Sequence, residues 1–488
     1  MKTKILASVI ILAMLIAVFP MGMSSVRATP NIHDATSKVA NYNVLPSKVE
    51  PMGPMTGSSV PGTVPFNVDM TDAEQVSETG DGIYVAVLDT GLLSNYNDFF
   101  GPGNVKIKTE WGIGFTHDLI WVGSGGNWSN EFDYGPLRSD RGFITHDNGA
   151  PDQYGFGWGS GHGTQVMSEI TGWWCDRHSK VPSDPTLPFW VRGVAPKVTI
   201  IPVLVLDDWI AFNPDFSEGW FFTGGTDEMV AAGIKYVGDL AKANHVKIVI
   251  NMSLGGPTPT QIIEDAIDYS ISKGVIIVAS AGNDGEAGMG WPGAYPQVIS
   301  VAAAGWTQEY LRYYLGTPNP WYWWTDDVPE NLWTADPLGN DFQVYLTDFS
   351  SRPNATLGQH IWDLDVAAPG AGVKGPYKGY GSGQWNYFSV WGTSQAAPHV
   401  AAIAALVLQR YPKLDQCSMQ ILLKMAAALT PLTKFCEKER SAQVFDTFSG
   451  TVLTYTWTWK DYGTGLLQAD NALCLARLLF GPKVKCPW

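Results

Sequence analysis

Positive charge is what this chain has least of: its 488 residues hold 31 Lys and Arg against 46 Asp and Glu, and charged residues of both signs make up only 16%. Nucleic-acid binding draws its affinity from clustered cations that displace phosphate counterions, and no basic stripe runs through the sequence, which excludes that partner class. Scarce charge is not disorder here, because hydrophobic residues at 45% are enough to bury a substantial core. Apolar runs long enough to span a bilayer are missing as well. The uncharged run from Ile5 to Pro20 follows Lys2 and Lys4, is broken at Pro20 and is short for a span, so it reads as a secretory signal cleaved near Ala28. Residues 1–28 carry Lys2, Lys4 and Arg27 and no acid, so their removal takes the formal charge from −15 to −18. A secreted, acidic, monomeric protein is expected, with no membrane span.

Cysteine is equally sparse, at 175, 417, 436, 474 and 486. In an oxidising compartment the four late ones allow two bridges in three possible pairings. Short loop closure favours Cys417 with Cys436 and Cys474 with Cys486, against buried free thiols as the alternative. Cys175 is then the odd one.

Residues 29–65 are polar and rich in Pro, Gly, Ser and Met, as a linker or removed leader would be. After them come apolar, β-branched runs at 83–88, 198–206, 246–251, 275–279 and 298–303, each suited to a strand buried on both faces. Helical spacing falls between them at 226–243 and at 261–273, the second stopped by Gly274. This alternation predicts an α/β fold with a mainly parallel sheet covered by helices on both faces. Two stretches rich in Trp, Tyr, Gly, Asn and Asp, roughly 95–157 and 306–348, break the rhythm and read as loop insertions. No internal repeat occurs.

Three short segments carry chemistry. In Gly392-Thr393-Ser394-Gln395-Ala396-Ala397-Pro398, small residues surround a serine at a helix start, where unpaired N–H groups and positive potential stabilise an oxyanion formed by hydroxyl attack. Gly161-His162-Gly163-Thr164 offers a base of near-neutral pKa that takes the serine proton and returns it to a leaving amine. Asp89, closing the 83–88 run, would fix the histidine tautomer. Read singly, these are an N-cap, a surface or metal-binding histidine and a turn residue. The order Asp, His, Ser, at separations of 73 and 232 residues, makes coincidence a poor account of all three.

Val87-Leu88-Asp89-Thr90-Gly91, Gly161-His162-Gly163-Thr164 and Gly392-Thr393-Ser394 resemble the three signatures of the subtilisin-like serine peptidases. The likeness extends from about Asp81 to Ala472. It implies a three-layer subtilisin-like fold, hydrolysis of polypeptide substrates, and an oxyanion donor at Asn283 in Val278-Ala279-Ser280-Ala281-Gly282-Asn283. It also implies a substrate pocket walled by Ser253, Leu254 and Gly255 on one side and Ala281 and Gly282 on the other. The implied organisation is a signal peptide 1–28, a leader or linker 29–65, a peptidase domain 66–475 and a tail 476–488. The chemistry requires no cofactor; structural calcium is compatible with the family, but no metal ligands can be assigned. Gln395 departs from the family's usual methionine, which removes an oxidisable side chain beside the nucleophile.

Competing readings are an acid peptidase that uses Glu and Asp with serine, and an idle surface or carbohydrate-binding protein on the same fold. His162 and Asn283 speak against the first, and the presence of all four chemical groups against the second. The run Trp321-Tyr322-Trp323-Trp324 reads as packing of an insertion. Asn127-Trp128-Ser129 and Asn354-Ala355-Thr356 fit the glycosylation acceptor, and a pI near 4.9 fits work at acid pH.

Overall fold

The computed structural model describes residues 26–27, 49–51, 64–101, 105–121, 132–139, 142–144, 161–175, 189–212, 218–311, 315, 328–377, 387–447 and 449–481. The signal-like run, Asn127, the 321–324 aromatics and Cys486 lie outside these residues.

A parallel sheet forms from the strands β1 (Tyr84–Asp89), β2 (Thr199–Leu204), β3 (Ile248–Met252), β4 (Ile276–Ser280) and β5 (Ile299–Trp306). Their spatial order is β5-β4-β3-β1-β2. Almost every residue in them is buried, which is why the sequence shows continuous apolar runs instead of alternation. The chain runs from β1 to β2 on one side, then resumes at β3 on the other. Both neighbours of β1 are thus parallel to it, and the topology switches at its carboxyl end, the place where open α/β sheets keep their sites. Asp89 is the last residue of that strand.

One helical layer holds α1 (His162–Thr171), which packs on β1 and on a later, longer helix. The other holds α2 (Asp227–Asn244) and α3 (Gln261–Ser272). These two approach closely: a Cβ on Gly238 would stand 2.7 Å from Ser270 Oγ and 3.1 Å from the Ser270 backbone, so a larger residue there would force the pair to shift. Thr226 caps α2, its hydroxyl accepting from Met229 N at 3.3 Å.

Part of the second insertion joins the sheet. β6 (Val344–Leu346) runs antiparallel along β5, and β7 (Val366–Pro369) runs parallel to it. β8 (Val373–Pro376) and β9 (Tyr387–Val390) form a small sheet, to which Val49–Pro51 of the expected linker adds a strand. The long helix α4 (Thr393–Arg410) follows and packs on β3, β4, β5 and α1, so the N-terminus of α4 is fixed by the core. α5 (Gln416–Ala427), the hairpin β10 (Arg440–Asp446) and β11 (Thr451–Trp457), and α6 (Ala469–Phe480) complete the chain. Among the described residues no helix is long and apolar enough to cross a membrane.

The Cys417–Cys436 pairing is wrong. Both thiols are exposed and unbridged, Cys417 on the first turn of α5 and Cys436 in a turn at φ 66°. A bridge needs close Cβ atoms, which loop length alone does not provide. Cys474 is disulfide-bonded.

Candidate active site

Each predicted chemical residue sits at the end of an element. His162 opens α1, and its Nδ1 lies 2.8 and 3.0 Å from the two carboxylate oxygens of Asp89. Asp89 Oδ1 also accepts from Thr90 N at 2.7 Å. A carboxylate on Nδ1 holds the proton there and leaves Nε2 as the basic nitrogen. The two segments are locked together by the threonines of their own motifs. Gly163 N donates to Thr90 Oγ1 at 3.0 Å, and Leu93 N to Thr164 Oγ1 at 2.9 Å. Gly163 is required, because a Cβ would come within 2.4 Å of Gly91 O.

Ser394 is the second residue of α4, and its placement depends on a proline four residues on. Pro398 has no N–H to give the Ser394 carbonyl, the partner that helix geometry assigns to it. Ser253 Oγ takes over, donating to Ser394 O at 2.7 Å while itself accepting from Asn251 Nδ2 at 3.0 Å. In return Ser394 Oγ donates to Ser253 O at 3.2 Å. Ser253 therefore positions the serine as well as standing in the expected pocket wall.

Asn283 is held by its oxygen. Oδ1 accepts from Thr393 N and from Thr393 Oγ1, both at 2.9 Å, which fixes the amide orientation and turns Nδ2 the other way. Thr393 Oγ1 in turn accepts from Gly282 N at 3.1 Å. Nδ2 is buried without a hydrogen-bond partner among the described residues. It and Ser394 N lie 3.3 and 3.6 Å from one point, the place a Cβ on Gly392 would occupy. Two N–H groups thus border the space beside Gly392. Gln395 Oε1 stands 2.8 Å from the same point.

The segments 253–255 and 281–282 lie side by side, each tied to its neighbours by hydrogen bonds. Ser280 Oγ donates to Leu254 O at 3.3 Å. Gly290 N donates to Ala281 O at 2.8 Å, and Trp291 exchanges backbone bonds of 2.7 and 2.8 Å with Gly256, next to Gly255. Gly282, at φ 109°, faces Ser351. Asp89, His162 and Ser394 are each 0% exposed. Among the described residues no three His, Cys, Asp or Glu side chains are grouped so as to hold a metal ion.

Glu169, two turns along α1 from His162, is an unforeseen neighbour. It is buried, neither carboxyl oxygen has a hydrogen-bond partner among the described residues, and burial followed by the charge of Asp89 pushes its pKa well above the usual 4.5. The folded protein keeps a proton there that the unfolded chain releases. The stability tied to this group is full below about pH 4.5 and is lost as pH rises. Glu169→Gln is expected to flatten the fall in melting temperature between about pH 5 and about pH 8; a slope equal to wild type would refute the assignment.

The model of the subtilase family (Peptidase S8) matches residues 80–453. A subtilisin of Bacillus sp. (strain TA39) is 29% identical over 339 residues, covering 68% of this chain and 58% of that protein. Subtilisin DY of Bacillus licheniformis is 26% identical over 360 residues, covering 72% of this chain and 87% of that one. Among solved structures, sphericase is 22% identical over 83% of this chain and 98% of its own, with a TM-score of 0.48.

Proposed function

Because the chain belongs to the subtilase family, we propose that it is a secreted serine endopeptidase in which Ser394, His162 and Asp89 form the catalytic triad and Asn283 assists the oxyanion. His162 Nε2 takes the Ser394 proton as Oγ attacks the scissile carbonyl. The oxyanion is received by Asn283 Nδ2 and Ser394 N–H, and the imidazolium is stabilised by Asp89. His162 then gives its proton to the leaving amine, and water, activated by the same base, hydrolyses the acyl-enzyme. The substrate lies extended along 253–255, its side chain before the cut entering the pocket closed by Ala281 and Gly282. The observation that carries this reading is the Asp89 carboxylate set at 2.8 and 3.0 Å on His162 Nδ1.

The test is hydrolysis of a denatured protein across about pH 3 to 9, beside Ser394→Ala and after a serine-directed phosphonylating reagent. Loss of cleavage in both supports the reading, whereas cleavage that survives Ser394→Ala refutes it. Asn283→Leu is expected to lower kcat ~100- to 1000-fold, about 3–4 kcal/mol of barrier, with KM little changed. A rise in KM at constant kcat would instead make Asn283 a substrate-binding residue.

A further inference from the structure

Gln395 follows Ser394 on α4 and is 0% exposed, yet neither its Oε1 nor its Nε2 has a hydrogen-bond partner among the described residues. Enclosing a carboxamide with both ends unpaired is costly, and such a group points to a partner that arrives with a ligand. The backbone on which it stands is fixed. Gln395 N donates to Gly392 O at 3.1 Å, and Gln395 O accepts from Nδ1 of the buried His399 at 2.7 Å. The usual methionine of the family offers no N–H at this position, so the carboxamide adds hydrogen-bonding capacity beside the nucleophile.

The side chain ends beside the two N–H groups to which the proposed mechanism gives the oxyanion. Oε1 is 2.8 Å from the place a Cβ on Gly392 would occupy, and Asn283 Nδ2 and Ser394 N are 3.3 and 3.6 Å from that place. Asn283 is anchored through its oxygen by Thr393, which keeps Nδ2 from turning away. Gln395 has no such anchor, because nothing bonds to either end of its amide. Its last torsion is broad and two-fold, so turning the amide over puts Nε2 where Oε1 stands without strain. With no charge present, the acceptor end rests against the two donors. A negative oxygen between those donors reverses the preference, repelling Oε1 and attracting Nε2.

We propose that Gln395 is a further catalytic residue, a third donor whose Nε2 turns to the oxyanion beside Asn283 Nδ2 and Ser394 N–H. The proposal rests on the peptidase reading. Gln395 makes and breaks no covalent bond and gives up no proton. Its hydrogen bond strengthens as charge gathers on the oxygen, so its effect falls on kcat and not on KM.

The test sets wild type beside Gln395→Met with two inhibitors built on one sequence that the enzyme cuts. One is a peptide aldehyde, whose carbonyl Ser394 converts into a tetrahedral adduct bearing the oxyanion, and the other is the matching peptide alcohol, which has no carbonyl to attack. Gln395→Met is expected to lower kcat and to weaken the aldehyde, each by about tenfold, while KM and affinity for the alcohol stay within about twofold. Equal losses for aldehyde and alcohol would reduce Gln395 to packing of the site and overturn the proposal, as would an unchanged or higher kcat. If Gln395→Met does not fold, the side-chain amide of Gln395 is followed by NMR in wild type carrying isotope-labelled glutamine. Its hydrogens must move downfield when the aldehyde binds, as a charge-assisted bond requires, and an unmoved signal overturns the proposal. A wild type that neither cleaves nor takes up the aldehyde overturns the peptidase reading and this proposal with it. An enzyme that cleaves, with equal aldehyde affinity in both proteins, overturns the proposal alone.

Discussion

Ser394→Ala is expected to leave a folded protein whose kcat is lower by about a millionfold, and His162→Ala to cost about as much. Neither side chain works alone: the hydroxyl is a poor nucleophile until a base takes its proton, and the base has nothing to activate once the hydroxyl is gone. The double variant is therefore expected to be no slower than either single one, the residual rate coming from the donors around Gly392 and from binding. Measured kcat values for the two single variants and the double variant check this, and losses that multiply would mean the residues act independently. The fold should survive, because α4 is held by the Ser253–Ser394 carbonyl bond, which Ser394→Ala retains.

Asp72→Asn is expected to stabilise the protein at neutral pH, by an amount that grows as pH rises. Burial first, and then Asp470, Glu74, Glu330 and Asp69, push the Asp72 carboxyl from 3.8 up to about 9. The folded state holds a proton that the unfolded chain releases, so stability is full below about pH 4 and declines by about 1.4 kcal/mol per pH unit until about pH 9. By pH 7 the ceiling is about 4 kcal/mol, reduced by solvent screening at the partly exposed carboxyl. Asparagine tolerates the φ of 49° at this position and still accepts from Gln468 Nε2. His399 acts in the opposite direction. Burial lowers it from 6.5 to about 4, and its neutral ring bridges Gln395 O at 2.7 Å and Asn67 Nδ2 at 2.8 Å. Its stabilisation is full above about pH 6.5 and is lost as pH falls towards about 4. Between those values His399 offsets only one of the two falling acids, Asp72 and Glu169; above pH 6.5 both act without it. Melting temperatures should fall from about pH 6.5 to 9 in wild type and fall less in Asp72→Asn, and parallel curves would contradict the assignment to Asp72.

The elements buried on both faces were legible in the sequence because burial left them few polar residues. The runs at 83–88, 246–251 and 275–279 overlap the strands Tyr84–Asp89, Ile248–Met252 and Ile276–Ser280, and the helix expected at 226–243 is found at Asp227–Asn244 with Thr226 as its cap. The candidate site was legible because its residues occupy strand ends and helix starts marked by glycine and threonine. What holds it was not. The bond between Ser253 and the Ser394 carbonyl joins residues 141 apart, and only Pro398 hinted that this carbonyl lacked a donor. Glu169 looked like any polar residue of a helix until tertiary packing enclosed it. The β10–β11 hairpin carried a signal that went unread, in the β-branched and aromatic residues of Thr451–Trp457. The cysteine pairing failed because sequence separation constrains loop entropy but not the approach of two Cβ atoms.

That Ser394 is a nucleophile activated by His162 is tested most directly by reacting the wild-type protein and His162→Ala with a fluorophosphonate and mapping the adduct by mass spectrometry. The expected result is a single adduct on Ser394 in wild type and none on the same timescale in His162→Ala. An adduct on another residue, or undiminished labelling of Ser394 without His162, would contradict it.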